Sequence, residues 1–187
     1  MPLTKFLLGG EYQGFDVVGG AIRWCKRNIS QAHPRFHFTH VSLRNSDYSA
    51  IGGTASQFTF PYEDSRFNCV VAFSVFTHLL FEETKNYLRE SYRVLVPGGR
   101  MVSTFFLLNA HSKAAQKAIS QVEQFPYDHG RVRVASKSNL ALAVAIEEDD
   151  LRQMLSEVGF RQISVEPGSW YGVQGAPEFQ DLVVCVK

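Results

Sequence analysis

Asp16 lies in the stretch YQGFDVVGGAIRWCKRN, where it reads as the acid that ends a strand, and residues 20–30 beyond it carry helical periodicity. A carboxylate only accepts hydrogen bonds, and its two oxygens suit paired vicinal hydroxyls such as those of a nucleoside ribose. In nucleotide-binding α/β folds that acid lies roughly 20 residues beyond a glycine-rich turn that takes the charged end of the ligand. Counting back from Asp16 runs off Met1. The competing reading is a solvated aspartate at a strand-to-loop junction.

His78 is the second candidate. Histidine has an ordinary pKa near 6.5, so it can take a proton near neutral pH; the plainer alternative is a ring that bonds a loop or caps the next helix. Ser74 stands in AFSVF and lacks the Gly-x-Ser-x-Gly elbow, which argues against a serine hydrolase. Trp170 and Tyr171, in the turn-rich GSWYGVQGAPEFQ stretch, either line a pocket or pack against the strands around them. Cys25, Cys69 and Cys185 are far apart in apolar segments and fit buried thiols. The 6 histidines form no helical pair at ligand spacing, so no metal is expected.

The elements that must position these groups follow from periodicity. Residues 2–8 suit the last turns of a helix, Gln13 to Val18 a strand, and residues 20–30 a helix with Ile22, Cys25 and Ile29 inward. Phe36 to Leu43 alternates as a second strand, and 44–57 is a polar loop. The run FNCVVAFSV, Phe67 to Val75, is almost wholly apolar, as in a central strand buried on both faces. Thr84, Leu88, Tyr92 and Leu95 recur at helical spacing, Pro97-Gly98-Gly99 stops that helix, and RMVSTFFLL is the next strand.

A helix is predicted over Asn109 to Gln124, then a hairpin of Val132–Ser136 and Leu140–Ile146 about Lys137-Ser138-Asn139. This 109–146 insertion should overhang the strand ends where open α/β sheets bind ligands. The acidic run Glu147 to Asp150 opens a helix that Gly159 caps in the left-handed conformation. RQISVEP and DLVVCVK are then expected to pair antiparallel. The order β-α-β-β-α-β specifies an α/β fold of parallel strands joined by helices.

At 187 residues, with 45% hydrophobic and 20% charged residues, the chain fits one globular domain. A net charge of +1 without a basic run argues against nucleic acid or membrane surfaces as partners. The N-terminal apolar patch is too brief for a secretory core or a membrane span, so a cytoplasmic location is the default.

Four segments, FDVVGGAIRWCKRN, FPYEDSRFNCVVAFSVFTHL, YLRESYRVLVPGGRMVSTFFLL and the closing helix-hairpin from Glu147, give the chain a resemblance to the class I S-adenosylmethionine-dependent methyltransferases. The resemblance implies a Rossmann-like sheet, mostly parallel with an antiparallel last strand and helices on both faces. It implies S-adenosyl-L-methionine as cofactor and a small-molecule methyl acceptor. Residue by residue, it places Asp16 on the ribose, Val17 beside the adenine, and Ser42 and Asn45 after the second strand. Ser74, Val75 and Phe76 fall around the methionine end and adenosine, and Thr77 and His78 at the mouth, with His78 a candidate base. Trp170 and Tyr171 are candidates for the acceptor wall.

Three positions depart from that pattern. No acidic residue followed by Gly-x-Gly precedes Asp16, Ser42 stands where relatives carry Asp, and Gly19 stands where a proline commonly opens the helix. Truncation at the start, a strand supplied by a partner, or loss of catalysis would each explain the absent first, central strand; truncation is the simplest. An incomplete sheet also makes self-association, as a homo-oligomer, an expectation. The chain alone is expected to bind S-adenosyl-L-methionine weakly or not at all. The alternative function is a non-catalytic methyltransferase-like binding domain. A nicotinamide oxidoreductase is disfavoured because no Gly-x-Gly-x-x-Gly turn is present.

Overall fold

Residues 3–7, 9–43 and 53–187 are described by a computed structural model, and their contacts gather into two units, Met1–Gly53 and Thr54–Lys187. In the first, a single helical turn α1 (Leu3–Phe6) precedes β1 (Tyr12–Asp16), α2 (Gly19–Cys25) and β2 (Phe36–His40). The strands pair in parallel from Tyr12 opposite Phe36 to Asp16 opposite His40, as a helical crossover requires. A π-type turn, Lys26–Ser30, prolongs α2, so the helix predicted over 20–30 is present. Ile22 and Ile29 are buried as its periodicity required, while Cys25 is half-buried.

The second unit contains β3 (Phe67–Ala72), α3 (Phe81–Val94), β4 (Leu95–Leu108), α4 (Ala110–Ala118), β5 (Tyr127–His129), β6 (Val132–Val134), β7 (Val144–Glu147), α5 (Glu148–Val158), β8 (Arg161–Glu166) and β9 (Asp181–Val186). Its sheet runs β5-β6-β7-β4-β9-β8, with β3 also on β4. Pairing is parallel for β3–β4 and β4–β7, and antiparallel for β4–β9, β8–β9, β5–β6 and β6–β7. The last strand is antiparallel as expected, but the sheet of this unit is mixed rather than mostly parallel. The cause is the insertion, whose short strands join the sheet as hairpins.

Three local expectations need correction. α4 ends at Ala118, not Gln124: Ile119 takes extended backbone, and the chain turns back to bury Phe125 against Phe106 and Trp170. The predicted hairpin turn at 137–139 is wider, joining Val134 to Val144, and a second hairpin turns at Gly130-Arg131. β3 is not buried on both faces: Cys69 is exposed and Val71 is 54% exposed, as is Phe73, just past the strand, at 55%. An apolar run is buried only if something covers it, and among the described residues β3 pairs with β4 alone.

Helix ends obey the local rules. Glu83 accepts the Leu80 amide proton at the start of α3 at 2.8 Å, and Asn109 Oδ1 accepts from His111 and Ser112, each at 3.0 Å, at the start of α4. Gly159 closes α5 at φ 111°, in the left-handed region that glycine adopts without steric cost. Among the described residues no helix is long and apolar enough to cross a membrane.

Candidate functional site

In the first unit, Asp16 and Val17 lie at the carboxyl end of β1, and Val41 N donates to Asp16 O at 3.0 Å, which brings Ser42 to the same end of the two-stranded sheet. Asp16 Oδ1 accepts the Val18 amide proton at 2.7 Å, a local turn that fixes the side chain while the residue stays exposed. His40 Nε2 lies 3.2 Å from the Val17 carbonyl, a second tie across the two strand ends. Asn45 lies outside the described residues.

In the second unit, the chain leaves β3 through Ser74 and enters a 3-10 turn, Phe76–His78, at the carboxyl end of the parallel pair. Ser74 has φ 52°, one of three non-glycine residues with positive φ among the described residues. For an L-residue that conformation costs roughly 1–2 kcal/mol. It is held by a ring of hydrogen bonds. Ser74 N donates to Thr104 Oγ1 at 2.8 Å, Thr104 Oγ1 donates to Gln180 Oε1 at 2.6 Å, and Ser74 Oγ donates to the same Oε1 at 3.2 Å.

Phe76 is 2% exposed and stacks on Phe105 at 4.6 Å, so its ring serves the core. Thr77 is 1% exposed, and its Oγ1 has no hydrogen-bond partner among the described residues. A buried hydroxyl without a partner costs free energy. His78 Nδ1 lies 2.7 Å from the Ala141 carbonyl. A carbonyl only accepts, so the proton sits on Nδ1 and Nε2 of the neutral ring is left as the basic nitrogen.

Trp170 and Tyr171 are not open walls. Trp170 packs edge-on against Phe106, Phe125 and Tyr171, and its Nε1 donates to Asp181 Oδ2 at 2.8 Å. Asp181 also accepts from Leu107 N and Gly168 N, each at 2.8 Å. Burial pushes the Asp181 pKa up, against the pull of these three donors. For Tyr171, burial and the nearby Asp181 and Glu148 raise the phenol pKa.

A shallow cavity of about 270 Å³ lies at the carboxyl ends of β4 and β7, with Leu108, Arg131, Arg133, Glu147 and Asp150 among its walls. Its charges are mutually satisfied: Arg131 pairs with Asp150 at 2.5 Å, Arg133 with Asp128 at 2.9 Å, and Lys113 with Glu147 at 2.7 Å. Arg131 also lies 4.2 Å over the Phe81 ring, tying the hairpin to the start of α3.

Sequence reasoning missed Thr104, Gln180 and Asp181. The available signals were a Ser-Thr pair inside the otherwise apolar RMVSTFFLL, and an acid opening DLVVCVK.

The fold has relatives among solved structures. A protein of Pyrococcus horikoshii OT3 superposes with a TM-score of 0.61 at 19% identity, over 97% of this chain and 75% of that one. A methyltransferase of Thermotoga maritima, described as S-adenosylmethionine-dependent, gives 0.50 at 13% identity, over 99% and 86%. Human N-acetylserotonin methyltransferase, solved with S-adenosylmethionine, gives 0.58 at 13% identity, over 98% of this chain and 42% of the human one. At these identities the likeness speaks for the fold. The family described as "Methyltransferase domain" matches residues 2–103, a span that holds Asp16, Ser42, Ser74 and His78. The chain thus belongs to the class I S-adenosylmethionine-dependent methyltransferases, whose cofactor is S-adenosyl-L-methionine.

Proposed function

We propose that this chain transfers a methyl group from S-adenosyl-L-methionine to a small-molecule acceptor. The observation that carries the reading is Asp16, an exposed carboxylate fixed at the carboxyl end of β1 inside the span matched by the family. The name of the human neighbour gives a small-molecule acceptor, which supports the acceptor class.

The residues present fit part of the cofactor. Asp16 would accept from the ribose hydroxyls, with Val17 against the adenine and Ser42 at the end of the second strand. Ser74 and Val75 would offer backbone groups, and the unpartnered Thr77 hydroxyl would gain a partner. The sequence contains no Gly-x-Gly, so the turn that holds the charged methionine end in the family has no counterpart in it. Binding by the 187-residue chain is therefore weak, about 0.1–1 mM, since the ribose and strand-end contacts act without that turn.

Bound S-adenosyl-L-methionine supplies an electrophilic methyl group on a positively charged sulfur. The residues of this chain contribute alignment and, for a hydroxyl or amine acceptor, proton removal. His78 is the proposed base: its Nδ1–H is committed to Ala141 O, so Nε2 takes the acceptor's proton. Trp170 acts through the core rather than by touching the acceptor.

A non-catalytic binding domain is the second reading, favoured by the exposure of Val71 in β3 and of Phe73 just beyond it. Formation of S-adenosyl-L-homocysteine with fractionated small molecules separates the two. Turnover that depends on one fraction and falls at least tenfold in Asp16→Asn supports the enzyme. No turnover with any fraction favours the binding domain.

A further inference from the structure

Ser74 adopts a backbone conformation that serine avoids, at the point where β3 hands the chain to the Phe76–His78 turn. Strain of this kind persists only where neighbours over-determine it. Here the neighbours are Thr104, 4% exposed in β4, and Gln180, the residue before β9. The Ser74 amide meets Thr104 Oγ1, and both hydroxyls, of Thr104 and Ser74, converge on Gln180 Oε1. Gln180 is itself anchored, because Asp181 beside it accepts hydrogen bonds from Leu107 N, Gly168 N and Trp170 Nε1. The ring thus ties an exposed, strained residue to a buried, multiply hydrogen-bonded carboxylate.

We propose that Thr104 and Gln180 are positioning residues that hold Ser74 left-handed, and so aim the backbone of Ser74 to Phe76 at the cofactor and His78 at the acceptor. The proposal rests on the methyltransferase reading above for its ligand, but not for its structural half. Neither residue is expected to touch cofactor or acceptor. Their effect runs through the φ angle of residue 74, and that gives the test a signature a simple stability defect lacks. Glycine adopts positive φ about as readily as negative, whereas alanine does not.

The test uses the full chain and two readouts. Amide hydrogen exchange over residues 74–78 is compared in wild type, Thr104→Val and Gln180→Met, with the β4 amides as the internal standard for global stability. Exchange in 74–78 is expected to rise more than tenfold in both variants while β4 stays protected; unchanged exchange would overturn the proposal.

The second readout is affinity for S-adenosyl-L-homocysteine, followed by NMR titration. Thr104→Val is expected to weaken it about tenfold, Ser74→Gly in that background to recover most of the loss, and Ser74→Ala to recover none. Equal recovery by glycine and alanine, or by neither, would overturn the positioning role. If the wild-type chain shows no saturable binding at all, the cofactor reading falls, and the exchange readout still decides whether the ring positions Ser74.

Discussion

The indole nitrogen of Trp170 donates to Asp181 Oδ2 at 2.8 Å, with the two residues 1% and 2% exposed. This bond joins the loop after β8 to the first residue of β9, and the same carboxylate gathers Leu107 N and Gly168 N. Removing it by Asp181→Ala leaves three buried donors without an acceptor. Each such loss costs about 1–3 kcal/mol, incompletely additive, so urea unfolding is expected to show a deficit of about 3–5 kcal/mol. A deficit below about 1 kcal/mol would mean that water replaces the carboxylate.

Glu148 and Asp181 bend the stability profile in opposite directions. At Glu148 burial raises the pKa, but hydrogen bonds from Asn109 and Arg152 outweigh it and hold the carboxyl below its usual 4.5. Its contribution is therefore present above that value and is lost as pH falls through the lower folded value. Asp181, raised above 3.8 by burial, contributes stability that is present below that value and lost as pH rises through its folded one. Urea midpoints from pH 6 to 3 check this. Glu148→Gln is expected to be less stable than wild type at pH 6, with the gap closing toward pH 3; a constant gap would contradict the assignment.

Gly168 is required by space. A Cβ built there would lie 2.4 Å from the Gln180 carbonyl carbon and the Phe179 oxygen, both backbone atoms that cannot step aside cheaply. Gly168→Ala is expected to destabilise by about 1–3 kcal/mol through overpacking. It should also raise exchange at Ser169 and Trp170, whose amides bond Glu178 O and Phe179 O. An unchanged melting temperature would show that the loop relaxes freely.

Burial pushes the Cys185 thiol up to about 12, so almost no thiolate exists there at neutral pH. Cys69 is exposed; burial raises its pKa while Arg100 opposes the rise. With a maleimide at pH 7.5, mass spectrometry is expected to find Cys69 labelled in the folded chain and Cys185 only after unfolding. Labelling of both at one rate would contradict the packing around β9.

What the sequence made legible was local. The α2 stripe of Ile22 and Ile29, the Gly159 cap and the antiparallel β8–β9 pair follow from periodicity and turn chemistry over short spans. The burial of β3 was not legible, because FNCVVAFSV records what the strand tolerates and not what covers it. The insertion was legible as helix and hairpin but not in its bounds, since burying Phe125 beside Trp170 overrides the helical pattern after Ala118. The ring at Ser74 joins Thr104 to Gln180 across 76 positions, and no local rule connects them. Trp170 looked available for a ligand because its loop is turn-rich; its indole is instead used by Asp181.

On the proposed function, Asp16 holds the ribose of S-adenosyl-L-methionine. Calorimetric titration of S-adenosyl-L-methionine into the 187-residue chain and its Asp16→Asn variant tests it most directly. Saturable binding is expected in the wild type, weaker than micromolar, with a further loss of about tenfold in the variant, the share of a charge-assisted hydrogen bond. Equal binding by the two proteins, or none by either, would contradict it, and micromolar binding by the wild type would overturn the need for a glycine-rich loop.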